Sequence, residues 1–257
     1  MDPIEIAIKN ERRESFIEYN FIVWTDRQIN KVIGVTFDKV KGEKVSNRAL
    51  LQYLVNKISS KDVPIILIEH DFPHHDIQVI NAHKNKLYKY QLLENELADL
   101  ICSEFSIKLT NSEDKESIKT VNVNERVYDG FHTWSRQTFG SSIKKCDVDC
   151  LLFNDGQVML TIEVKNTSRS GIEIENWQPY PDDQDNYKII GLFSRDVLNC
   201  DFITLHHNLP MDTNDNSSNI NVGLWRYDLS HSFSYFRSNK NRIVTKLSEV
   251  ICEYTKI

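Results

Sequence analysis

The sequence predicts an α/β protein: a mixed β-sheet flanked by helices, with an N-terminal α/β extension. Three observations carry this. Segments with apolar residues at every second position alternate with segments at helical spacing. Between residues 124 and 207 a helix, a hairpin, a second helix and a further strand follow one another, the order of a mixed sheet with helices on its faces. The 257 residues are 40% apolar and 26% charged, enough to bury a real core in one or two domains.

The N-terminal elements come first. Phe16 to Thr25 and Asn30 to Phe37 are rich in branched and aromatic residues and form a hairpin. Ser46 to Ser60 places Leu50, Leu51, Leu54, Val55 and Ile58 at helical spacing, with Ser46 or Asn47 as cap. Val63 to Ile68 suits a buried strand that Asp76 to Ala82 can pair with. Leu87 to Phe105 reads as an amphipathic helix through Leu92, Leu93, Leu97, Leu100 and Ile101. The polar stretches Thr110 to Thr120 and Met211 to Asn219 read as surface loops. The first puts a boundary near residue 115: an accessory region over 1–115 and a core over 116–257.

In the core, Asn124 to Phe139 is a helix that Gly140 stops. Lys145 to Phe153 and Gln157 to Lys165 are strands joined by Asn154-Asp155-Gly156, with glycine where a tight turn needs positive φ. Asp182 to Leu198 is helical, Phe202 to His207 and Ile220 to Tyr227 are strands, and Asn241 to Tyr254 is a closing helix.

Composition excludes several classes. No run approaches the roughly 18 apolar residues of a membrane span. The start Met-Asp-Pro-Ile-Glu lacks the basic cluster and apolar stretch of a signal peptide, so a cytoplasmic protein without membrane association is expected. A net charge of -6 excludes a strongly basic nucleic-acid binder while leaving room for a local basic groove. The five cysteines, with no Cys-x-x-Cys pair, read as reduced thiols.

The chemistry concentrates in the hairpin. Side chains alternate across a strand, so Asp147 and Asp149 share one face, as do Glu163 and Lys165 on the partner strand. Pairing the two strands brings two or three carboxylates and one amine together at the end of an apolar sheet. Carboxylates so grouped suit Mg²⁺, which takes one or two of them and keeps waters for substrate oxygens. A lysine beside them can orient or deprotonate an attacking water and stabilise developing charge.

Asp149, thirteen intervening residues and then Glu163-Val164-Lys165 resemble the motif of the PD-(D/E)xK nucleases, the restriction-endonuclease-like superfamily. The order helix, hairpin, helix, strand is also similar, over roughly residues 122 to 207. Val148 stands where the family name has proline. The resemblance implies a restriction-endonuclease-like core and hydrolysis of phosphodiester bonds, mostly in DNA. It implies Mg²⁺, or Mn²⁺ in its place, on Asp149 and Glu163 with Lys165 at the water; Asp147 is a further candidate ligand. Many members add an acid from the preceding helix: Glu125 is the first choice here and Asp129 the second. Arg136, His132, Lys144, Lys145, Arg169 and Gln184 are candidate substrate contacts. Val123, Val127, Phe131 and Trp134 form the stripe expected to pack that helix on the sheet. Asp182, Asp183 and Asp185 are expected to serve the positive end of the second helix. The N-terminal region is expected to aid substrate recognition or form a homodimer. Two alternatives stand beside an endodeoxyribonuclease: a catalytically silent DNA-binding or assembly subunit, and an RNA-directed nuclease.

Overall fold

The computed structural model describes residues 2–11, 19–40, 47–71, 77–81, 88–109, 130–168, 171–210, 219–229 and 242–255. They form, in chain order, α1 (Pro3–Glu11), β1 (Asn20–Thr25), β2 (Val32–Val40), α2 (Arg48–Ser59), β3 (Ile65–His70), β4 (Ile77–Asn81), β5 (Tyr88–Leu92), α3 (Glu94–Glu104), α4 (Gly130–Phe139), β6 (Lys144–Asp147), β7 (Cys150–Asn154), β8 (Gln157–Asn166), α5 (Gln184–Leu192), β9 (Asp201–His207), β10 (Asn221–Arg226), β11 (Arg242–Lys246) and α6 (Leu247–Thr255). The fold is α/β with two mixed sheets flanked by helices. Among the described residues no helix is long and apolar enough to cross a membrane, and none of the five cysteines forms a disulfide.

The chain divides into two compact units that interleave in sequence. The first comprises Met1–Glu18, Val45–Lys57 and Asp147–Ile257, the second Tyr19–Lys44 and Ile58–Cys146. Residue 115, where the sequence places a boundary, lies outside the described residues, as do the loops over 110–120 and 211–218.

The first unit holds the five-stranded sheet, in the order β11-β10-β9-β8-β7. β8 runs parallel to β9 and antiparallel to β7; β10 is antiparallel to β9 and β11. Ile4, Ala7 and Ile8 of α1 and Leu247, Val250 and Ile251 of α6 bury one face together with Leu152, Leu160, Ile162, Ile203, Leu205 and Leu224. The alternate residues of β8 turn toward α5 and its extension: Thr161 hydrogen bonds to Ser194, and Lys165 reaches the residue before α5. After Leu192 the helix widens into a π-helical turn, Phe193–Leu198, and stops at Asn199 in the left-handed region (φ 53°).

The second unit holds the six-stranded sheet, in the order β5-β4-β3-β2-β1-β6. The expected hairpin of β1 and β2 forms, and β4 pairs antiparallel with β3 as expected; β2 also runs parallel to β3. Asn47 caps α2, its Oδ1 accepting the Leu50 N–H at 3.1 Å.

Four expectations are corrected. Tyr88–Leu92 is strand, paired with β4, and the helix begins only at Glu94, where the Glu96 carboxylate accepts the Leu93 N–H at 2.8 Å. Arg242–Lys246 is also strand. Its β-branched run pairs with β10, and Glu249 accepts the Lys246 N–H at 3.3 Å to start α6. The strand expected over Lys145 to Phe153 breaks at Val148 and Asp149: β6 joins the six-stranded sheet and β7 the five-stranded one. Of the stripe expected to pack α4 on the hairpin's sheet, Val123 and Val127 lie outside the described residues, and the other two residues pack elsewhere. Phe131 and Trp134 lie in the core of the second unit with Ile22, Trp24, Ile66 and Phe105.

Candidate functional site on the β7–β8 hairpin

The hairpin turns through two residues, Asp155 (φ 48°) and Gly156 (φ 73°), both left-handed as its tight turn requires. The turn pairs Asn154 with Gln157, and an extra residue in β8, Met159, then shifts the register by one: Leu151 opposes Thr161 and Cys150 opposes Ile162, so the next step places Asp149 opposite Glu163. Asp149 has left the strand, and its side chain takes over from the backbone. The Val164 N–H donates to Asp149 Oδ2 at 2.6 Å. The Asp149 and Glu163 carboxyls hydrogen bond to each other, and Lys165 Nζ sits 2.8 Å from Glu163 Oε1. Asp149, Glu163 and Lys165 are therefore in one chain of contacts.

Burial dominates the electrostatics. It pushes the Asp149 carboxyl well above the carboxylate range, with Glu163, Asp147 and Glu5 adding repulsion. It raises Glu163 too, less so because Lys165 opposes it. Both carboxyls are thus shifted toward the protonated form, Asp149 the more strongly. Burial pulls the Lys165 ammonium down, but Glu163, Tyr187 and Asp183 outweigh it and hold its pKa above the ordinary lysine value. Lys165 Nζ also lies 3.0 Å from Asp183 Oδ2 and 5.7 Å from the centre of the Tyr187 ring. Tyr187 stacks on Tyr227, which stacks on Phe202, giving the ammonium a buried aromatic wall.

Two contributors escape the sequence reading. Asp183 was assigned to the end of α5, yet it binds Lys165. The other is Glu5 of α1, whose carboxyl burial and Asp2 push up to about 7, with Asp147 adding to the rise. Asp2 caps that helix: its Oδ1 accepts the Ile4 N–H at 2.8 Å, and its Oδ2 lies 2.9 Å from Nε2 of His207 at the end of β9. The signal is present in the sequence. Asp2-Pro3-Ile4-Glu5 is an N-cap, a proline at the first helical position and an acid at the third, a capping pattern that marks a helix start.

The other sequence candidates lie as follows. Asp147 ends β6 and is exposed. Gln184 is exposed at the first residue of α5. His132, Arg136, Lys144 and Lys145 belong to the second unit. There Arg136 and Lys144 are exposed, while Lys145 Nζ donates to the His132 carbonyl at 3.3 Å and lies 5.2 Å from the Trp24 ring centre. Glu125, Asp129 and Arg169 lie outside the described residues. Trp177 and His206 pack in the first unit, their rings 4.7 Å apart and nearly parallel, with His206 Nε2 2.5 Å from Thr167 Oγ1.

The chain matches no family model, no curated protein and no solved structure.

Among the described residues no group of three or more His, Cys, Asp or Glu side chains is arranged to hold a metal ion. The arrangement fits a cation that takes two carboxylates and completes its shell with water, as Mg²⁺ does. Glu163, buried, and Asp149, half-buried, repel each other, and a divalent cation would relieve that repulsion.

Proposed function

We propose that this protein is a Mg²⁺-dependent nuclease that hydrolyses phosphodiester bonds in DNA, as an endonuclease. The contact chain Asp149–Glu163–Lys165 supports this reading: two acids and an amine meet at the edge of an apolar sheet, the pattern by which the sequence resembles the PD-(D/E)xK nucleases. Asp149 and Glu163 would hold the cation, which when bound supplies charge stabilisation at the phosphate and a more acidic water. Lys165 would orient that water and face the charge developing on the phosphate. Glu5 of α1 is a helix acid that bears on this pair, its charge adding to the repulsion on Asp149.

The acids bear on DNA binding as well. With a net charge of -6 the molecule as a whole repels a polyanion, and the buried acids oppose phosphate entry until a cation is bound. The test is nicking of supercoiled plasmid with Mg²⁺ or EDTA by wild type and Glu163→Gln, with gel shifts in Ca²⁺ or EDTA alongside. Nicking that needs Mg²⁺ and Glu163, and tighter binding in Ca²⁺, are expected. Undiminished nicking by Glu163→Gln, or no cutting of duplex or single-stranded DNA with either Mg²⁺ or Mn²⁺, would overturn the proposal.

A further inference from the structure

Lys165 Nζ has two carboxylate partners at nearly equal range, Glu163 Oε1 at 2.8 Å and Asp183 Oδ2 at 3.0 Å. The two are not equivalent. Glu163 is 5% exposed and also engages Asp149. Asp183 lies at the more open side, with 28% of its side chain exposed. It ends a short 3₁₀ turn, Pro181–Asp183, that leads into α5. The turn is held by the Asp183 N–H donating to the Tyr180 carbonyl at 3.1 Å and the Gln184 N–H donating to that of Pro181. Proline fixes φ at its start, so the carboxylate of Asp183 is positioned by backbone geometry, independently of the hairpin.

A carboxylate that neutralises an ammonium is a weaker ligand for a cation, and a lysine left without a counter-ion in a half-buried site is costly. We infer that Asp183 is a positioning residue that takes over the Lys165 ammonium when Glu163 turns to a divalent cation, so that Glu163 is released for the metal while Lys165 stays in place. The inference rests on the metal-site reading above and adds to it a residue outside the motif. Asp182, one position earlier and exposed, carries the same charge without this contact and serves as its control.

The experiment is Mn²⁺ binding to the full chain, followed by loss of the free-ion EPR signal, with circular dichroism and thermal melting to verify folding. Asp183→Asn should weaken Mn²⁺ binding about tenfold, because Glu163 is then the sole carboxylate left to Lys165, whereas Asp182→Asn should change it less than about twofold. Lys165→Met should tighten binding, and Lys165→Met/Asp183→Asn should match Lys165→Met. Asp183→Glu, which keeps the carboxylate, should restore most of the affinity. An equal weakening by Asp183→Asn with and without Lys165 would make the effect simple loss of negative charge and overturn the inference. So would no weakening at all. Glu163→Gln separates the two levels. If it abolishes Mn²⁺ binding while Asp183→Asn has no effect, the inference alone falls. If it leaves binding unchanged, the metal-site reading falls and takes the inference with it.

Discussion

The backbone N–H of Val164 donates to the side chain of Asp149 at 2.6 Å. The antiparallel ladder between β7 and β8 thus continues one step past Cys150 and Ile162 through a carboxylate instead of a carbonyl. The strand that presents Glu163 also fixes the acid opposite it. A side chain used this way is tied to the backbone of the sheet itself, the support that a pre-organised pair needs.

Asp149→Asn retains an oxygen for the Val164 N–H and removes the charge. It should fold like wild type, with a melting temperature no lower, and lose DNA cleavage by about 100-fold or more. Asp149→Ala leaves the Val164 N–H without that partner and should in addition cost about 1–3 kcal/mol of stability. Plasmid nicking and urea unfolding on the same two variants check both parts. Equal stability of the two would mean that the 2.6 Å bond contributes nothing.

Divalent cation should stabilise the fold through the same pair. A ligand that binds only the native state at 100 times its Kd adds about 2.7 kcal/mol. Thermal melting near pH 8 with and without Mg²⁺ should show a rise for wild type and none for Asp149→Asn or Glu163→Gln. An equal rise in all three would place the effect elsewhere on the chain.

Glu5 predicts a pH dependence of stability. Its carboxyl stands at about 7 in the folded protein against an ordinary value of 4.5. A group raised on folding contributes stability that is fully present below its unfolded value and is lost as pH rises through its folded value. The window is therefore about pH 4.5 to 7, and the loss is on the order of 3 kcal/mol. Glu5→Gln cannot ionise and should escape it. Relative to wild type, the variant should gain stability in urea unfolding between pH 4.5 and 8. A difference that stays constant over that range would show that Glu5 titrates normally.

Gly34 tests the packing of the second unit. A Cβ at this position would lie 2.3 Å from Cδ1 of Phe105, inside any permitted contact. Phe105 is buried and packs edge-on against Trp24, with ring centres 5.6 Å apart, and has little room to yield. Gly34→Ala should lower stability by about 1–3 kcal/mol, read as a shift in the urea midpoint. A midpoint equal to wild type would show that the ring moves aside freely.

The hairpin was legible in the sequence because it rests on local rules: Asp155-Gly156 is a turn signal and strand alternation has a fixed period, which puts Glu163 and Lys165 on one face. Their pairing with Asp149 was not: a two-residue turn alone would set Asp149 opposite Ile162, and the register shift at Met159 brings Glu163 there instead. The capping residues of α1 were legible by the same kind of rule, although they entered no reading of the chemistry. The segments Tyr88–Leu92 and Arg242–Lys246 were read as helix because each runs directly into one. Only pairing with β4 and β10 decides them, since a short apolar run satisfies either period until a neighbouring strand accepts its backbone groups. Tertiary structure alone decided which acids join the hairpin. Glu5 precedes Asp149 by more than half the chain and arrives because Ile4, Ala7 and Ile8 bury themselves against the five-stranded sheet. Asp183 reaches Lys165 because the parallel crossover from β8 to β9 carries α5 back over the sheet. The stripe on α4 that spacing assigned to the hairpin's sheet was equally compatible with either, and the six-stranded one took it: an apolar stripe specifies that a helix is buried, but the surface that buries it is set by the shape of the whole fold.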